Sequence, residues 1–143
     1  RGNFKYSADG ALAPNGKIYF APSCARQALS VNPETRQVLQ LGPDLEGPKK
    51  YEAGGVLASD GNIFFAPYCA SQVLAIDPET ESIRLLGPEM SKDSKYQADA
   101  VLASNGKIFF APYCARQVMS IDPATHLVEL LGPVLSQEDQ FLA

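Results

Sequence analysis

Between residues 100 and 131 apolar positions fall in short runs that never settle into a helical period. Ala100, Val101, Leu102 and Ala103 form one run, cut off by Ser104-Asn105-Gly106. A brief apolar run bounded by turn residues reads as a buried strand, and Asn-Gly marks a tight hairpin because both residues tolerate positive φ. Residues 107–111 form the next strand. Ile108, Phe109 and Phe110 make it apolar on both faces, so its sheet must be covered on both sides. Residues 112–116 form a loop, after which Gln117-Val118-Met119-Ser120-Ile121 alternates polar and apolar as a third strand. Asp122-Pro123-Ala124-Thr125 is a turn with proline at its favoured second position. Residues 127–131 are a fourth strand, Gly132-Pro133 closes the unit, and a polar stretch runs on to Gln140.

The same unit occurs three times with a period of 45 residues. Tyr6, Tyr51 and Tyr96 mark its start, followed by Gly16, Gly61 and Gly106, then Cys24, Cys69 and Cys114, and finally Gly42, Gly87 and Gly132. We divide the chain into repeats 1–45, 46–95 and 96–140. The first copy has drifted furthest, with Ser23 where the others carry Tyr68 and Tyr113. Four antiparallel strands joined by tight turns and repeated every ~40–50 residues predict an all-β protein of β-propeller blades.

The runs ADGALAPNGKIYFAPSCARQALSVNPET, AGGVLASDGNIFFAPYCASQVLAIDPET and ADAVLASNGKIFFAPYCARQVMSIDPAT resemble the YVTN/NHL-type propeller repeat. The cysteine-containing variant is similar to repeat proteins of unicellular algae such as dinoflagellates. The resemblance implies the fold and leaves the function open, because propellers of this kind serve as enzymes, lectins and assembly platforms. It also implies that the loop between the second and third strands shares a ligand-bearing face with the connection to the next blade. That places Tyr68, Tyr113, Arg26, Arg116, Gln27, Gln72, Gln117, Cys24, Cys69 and Cys114 on this face, with Asp9 and Asp99 at the mouth of the innermost strand. The alternative for these residues is structural: Gln satisfying backbone groups of the adjacent blade, Tyr packing, Arg solvated.

Composition narrows the function classes. A net charge of -4 and the lack of a basic stripe argue against nucleic acid. No apolar run is long enough to cross a bilayer, so direct membrane insertion is not expected. The chain does not begin with Met, which leaves a cleaved targeting segment open. Three cysteines at equivalent positions cannot easily reach disulfide separation, and free thiols point to a reducing compartment. They lack the short Cys-x-x-Cys spacing of a metal site, so no metal or other cofactor is expected. Packing between blades is the simplest role for them.

Catalytic constellations are sparse. His126 is the single histidine and lies beside a turn, where exposure is expected. Asp9 and Asp99 are equivalent, but Gly54 interrupts the series between them. The expected function is a non-catalytic interaction scaffold or subunit of a larger assembly, partnered by a protein, by further blades of the same chain or by other copies. The alternative is a multivalent propeller for small ligands or glycans, with a propeller hydrolase or lactonase a third reading. Phe20, Phe65 and Phe110 are expected to be buried at equivalent positions between stacked blades.

Overall fold

The computed structural model describes residues 5–91 and 93–135. The described residues form twelve strands in three four-stranded antiparallel sheets, and no helix. The first sheet contains β1 (Ala11–Leu12), β2 (Ile18–Phe20), β3 (Ala28–Val31) and β4 (Val38–Leu41). The second contains β5 (Val56–Leu57), β6 (Ile63–Phe65), β7 (Val73–Asp77) and β8 (Ser82–Leu86). The third contains β9 (Val101–Leu102), β10 (Ile108–Phe110), β11 (Val118–Asp122) and β12 (Leu127–Leu131). Each sheet pairs its strands in sequence order, so every neighbour is joined by a local turn.

The first hairpin of each sheet differs in detail from the doubly positive-φ turn expected of Asn-Gly. Only the glycine adopts positive φ, at 85°, 94° and 86° for Gly16, Gly61 and Gly106. Gly16 N–H donates to the Ala13 carbonyl at 2.9 Å and Ala13 N–H to the Lys17 carbonyl at 2.9 Å, and both bonds recur in the other two sheets. This is a three-residue loop in which glycine takes the left-handed position. The residue before it keeps an ordinary φ and contributes its side chain instead: Asn15 Oδ1 accepts from Lys17 N–H at 2.9 Å, and Asp60 and Asn105 accept likewise.

Between sheets lies the core. Side chains alternate across a strand, so each sheet has a backward and a forward face. In the second sheet Ile63, Phe65, Leu74 and Ile76 point backward and pack with Ala11, Tyr19, Ala28 and Leu41 of the first. Phe64, Val73 and Ala75 point forward and pack with Ile108, Phe110, Met119, Ile121 and Val128 of the third. The middle sheet is therefore buried on both faces, which is why β6 is apolar throughout and fully buried.

The end sheets each keep one open face. Phe65 and Phe110 are fully buried, but Phe20 is only half-buried, correcting the expectation of three equivalent sites. It faces backward from the first sheet, where no other sheet of the described residues stacks on it. Leu12 and Val38 share that face and are 62% and 56% exposed. Forward from the third sheet, Val101 is 65% exposed and Phe109 half-buried.

Candidate functional site

The loops after β2, β6 and β10 carry the three cysteines and are stitched to the segment entering each sheet. Tyr68 N–H donates to the Lys50 carbonyl at 2.8 Å, Cys69 N–H to the Lys49 carbonyl at 3.0 Å and Ala70 N–H to the Lys50 carbonyl at 3.2 Å. One repeat later, Tyr113, Cys114 and Ala115 make the matching bonds to Lys95 and Ser94. The same entering segment also reaches the preceding loop, through Lys50 N–H to the Ser23 carbonyl at 3.0 Å and Lys95 N–H to the Tyr68 carbonyl at 2.9 Å. Each entry segment thus bridges two neighbouring loops.

Two side-chain series complete the frame. The hydroxyls of Tyr6, Tyr51 and Tyr96 donate to the carbonyls of Gln27, Gln72 and Gln117, each at 2.8 Å. The glutamine amides donate to the carbonyls of Gly42, Gly87 and Gly132 at 2.7, 2.8 and 2.9 Å. The glutamines therefore satisfy backbone groups of their own sheet and not of the neighbouring one. Burial raises Tyr51 and Tyr96 well above the usual phenol range.

Tyr68 and Tyr113 are half-buried and stack with ring centroids 6.3 Å apart and planes at 30°. Ser23 holds the equivalent place in the first repeat; there its hydroxyl donates to Glu52 Oε2 at 2.5 Å, as Ser7 does at 2.7 Å. Arg26 and Arg116 are exposed. Arg26 reaches Asp44 at 3.6 Å and Glu46 at 3.8 Å, a solvated pairing worth little. No disulfide joins the cysteines, and all three are half-buried.

Two lysines belong to this face that residue type alone did not single out. Lys50 and Lys95 are buried, and Lys50 Nζ donates to the Gly47 carbonyl at 2.7 Å. Burial pushes the Lys50 ammonium below its ordinary value, Cys24 partly restores it and Arg26 lowers it again. Burial likewise lowers Lys95, with Cys69 and Asp93 acting against the shift. Each lysine thus lies beside the cysteine of the preceding repeat. Cys24, Arg26 and Lys50 line one pocket of about 290 Å³. The available signal was recurrence: Lys5, Lys50 and Lys95 precede the periodic tyrosines at the same spacing.

Asp9 and Asp99 come together at the entrance to the innermost strands, where they line a pocket of about 440 Å³ with Gly54 between them. Gly54 N–H donates to Asp99 Oδ1 at 3.2 Å. A Cβ on Gly54 would stand 3.2 Å from that oxygen and 3.3 Å from Asp9 Cβ. The glycine that interrupts the series is thus the spacer that admits both carboxylates. Among the described residues, no three His, Cys, Asp or Glu side chains are placed to hold a metal ion.

His126 departs from the exposure expected of it. Its Nδ1 lies 2.8 Å from Arg84 Nη1, and its ring meets Phe64 edge-on at 6.3 Å, so it is part of the junction between the second and third sheets. In the first junction Tyr19 and Glu81 hold the places of Phe64 and His126: Tyr19 OH donates to Glu81 Oε2 at 2.8 Å, and Lys17, the counterpart of Asn62, pairs with the same oxygen at 3.2 Å.

The sequence matches no protein-family model and no curated protein. Solved structures do resemble it. Virginiamycin B lyase from Staphylococcus aureus, catalytically inactive and bound to quinupristin, superposes with a TM-score of 0.71 at 12% identity, over 92% of this chain and 43% of that one. The extracellular domain of a hybrid two-component system from B. thetaiotaomicron gives 0.68 at 18%, over 87% and 16%. The chain is a run of three β-propeller blades. An auxiliary nutrient-binding protein from Bacteroides thetaiotaomicron shares the blades, with a TM-score of 0.63 at 14% identity over 94% of this chain and 32% of that one. The three blades span less than half the length of each of these structures. Lyase, sensor domain and nutrient-binding protein thus share one architecture, and the fold selects none of their functions.

Proposed function

We propose that the chain is a non-catalytic interaction module, three blades of a larger propeller whose end faces are covered by further blades. One observation carries this reading: the backward face of the first blade is apolar and open, although its counterparts in the other blades are buried. Ile63, Phe65, Leu74 and Ile76 are wholly covered, whereas the equivalent Ile18, Phe20, Leu29 and Val31 are half-buried beside exposed Leu12 and Val38. An apolar sheet face of this kind drives association in water. The non-catalytic assignment is supported by the use of the single histidine at a blade junction and of the periodic tyrosine hydroxyls on backbone carbonyls. Light scattering of the 143-residue chain across a concentration series tests the reading. The expected result is self-association above the 15.4 kDa chain mass; a stable monomer that unfolds cooperatively would overturn it.

A second reading, binding of a small ligand or glycan on the loop face, is favoured by the half-buried Tyr68–Tyr113 stack beside the cysteine loops. Stacked rings offer an amphipathic platform of the type such ligands use. A glycan array with wild type and a Tyr68→Ala, Tyr113→Ala double variant tests it: binding confined to wild type supports this reading, and no binding by either counts against it.

A further inference from the structure

The open faces at the two ends carry, in the register used at both internal junctions, an open glycine, one pair of opposite charges and matching apolar positions. From this we infer that a second copy of the chain covers them, two copies closing head to tail into a six-bladed ring. The inference rests on the reading above and names the partner.

Three positions carry the argument. The first is a close approach. A Cβ on Gly42 would stand 2.5 Å from Ile83 of the next blade, and one on Gly87 would stand 2.7 Å from Val128 of the next. Gly132 holds the same place in the third blade and has nothing within 4 Å. The residue equivalent to Ile83 and Val128 is Val38, 56% exposed on the open face of the first blade. A second copy would bring its Val38 over Gly132.

The second position is the charged corner. Arg36, Glu81 and His126 occupy the same turn, with φ of 66°, 57° and 62°. The forward row of the second blade, Phe64–Ala75–Arg84, presents Arg84 and Phe64 to His126. In the third blade that row reads Phe109–Ser120–Glu129. A second copy would set its Arg36 against Glu129 and the Phe109 ring, pairing opposite charges beside a cation–π partner. The reach is conserved: a long Arg84 meets a short His126 inside the chain, and a shorter Glu129 would meet a long Arg36. Lys107, the counterpart of Lys17, would also face Arg36, a like charge that leaves Glu129 as the acid offsetting both.

The third position is the remaining apolar area. Leu12, Phe20 and Leu29 of the second copy would take the places that Leu57, Phe65 and Leu74 hold against the first blade. Such an interface is heterologous, and a heterologous interface either closes or runs on as a filament. Two copies give six blades, within the roughly four to eight of closed propellers; three copies give nine, outside it. Of rings built from whole copies of these 143 residues, the smaller is the one that closes.

Charge reversal tests the pairing. Arg36 and Glu129 are exposed, and glutamate already occupies the Arg36 turn position in the second blade, so Arg36→Glu and Glu129→Arg leave each chain able to fold. Native mass spectrometry of the wild type should show a discrete two-copy species. Each single variant should dissociate at least about tenfold more readily, and an equimolar mixture of the two should recover the two-copy species, because one junction is then native and the other reversed but complementary. A two-copy species unaffected by either reversal, or variants that do not rescue one another, would overturn the ring. A ladder of open oligomers would also overturn it but leave the larger-propeller reading standing. A stable wild-type monomer would overturn both.

Discussion

Phe65 stands at the boundary between local pattern and tertiary placement. Its ring lies fully buried in the first junction with Tyr19 and Tyr51, so truncation removes both transfer energy and packing. Phe65→Ala should destabilise the chain by about 3–5 kcal/mol in urea denaturation; a loss below about 1 kcal/mol would contradict the junction described. The buried tyrosines set the alkaline limit. Burial pushes Tyr19 up to about 12, with Glu81 adding to the rise and Asn15 opposing it, and Tyr51 and Tyr96 lie higher still. The unfolded chain releases these protons near pH 10, before the folded one does. Their contribution is fully present below that pH and is lost as pH rises through the folded values. Lys50 and Lys95, lowered in the folded state, act in the opposite direction and add stability up to the ordinary lysine range near pH 10.5. Stability should therefore fall above pH 10, with phenolate absorbance of the buried rings appearing together with loss of the β circular-dichroism signal. Phenolate formation at all three rings in a still-folded chain would refute the assignment.

At the level of strands and turns, the glycines separate two physical roles. Gly106 has positive φ and open space around it, whereas Gly42 has positive φ and Ile83 within 2.5 Å of any added Cβ. Gly106→Ala should cost only the left-handed backbone penalty, about 1–2 kcal/mol. Gly42→Ala should cost clearly more, because the junction must also open; equal thermal shifts for the two would show that the Ile83 contact is unimportant. Strand limits and turn positions were legible in the sequence because they depend on neighbours a few residues apart: the Asn105-Gly106 and Asp122-Pro123 turns bracket β10 and β11 as expected. The direction each strand face points was not legible. Both faces of residues 63–65 are apolar, so nothing local distinguishes backward Phe65 from forward Phe64, and the equal pattern at Phe20 hides an unpartnered face. The loop face was half legible. Recurrence marked its cysteines, glutamines and tyrosines, but the pairing of Lys50 with Cys24 spans a blade junction, and the spacer role of Gly54 depends on carboxylates 45 residues away on either side.

Across the whole molecule, burial is greatest at the centre and falls toward both ends. Strands β6 and β7 are almost wholly buried, whereas their counterparts β2, β3, β10 and β11 each include half-buried positions within the strand. Blade arrays of this kind are stabilised by nearest-neighbour contacts, and local opening follows the density of those contacts. In a Val38→Asp chain held as a single copy, amides of β6 and β7 should exchange more slowly than those of the equivalent β2, β3, β10 and β11. Uniform protection across the three blades would mean that the end faces are covered even in that variant.

The two internal junctions differ in their polar groups: Tyr19 and Glu81 in one stand where Phe64 and His126 stand in the other, and the added charge comes from Lys17 in the first and from Arg84, on β8, in the second. Tandem copies this similar face a hazard of their own, since a blade could dock on the wrong neighbour, within the chain or in another. Private partners at each junction act as an address. Glu81 transplanted to the His126 position would keep Arg84 as a partner but meet the Phe64 ring where the first junction offers a tyrosine hydroxyl, and His126 moved to position 81 would meet Lys17. Blade order is thereby written into the junctions themselves, and a chain assembled in the order second, first, third would carry every strand it needs and still lack its matched seams.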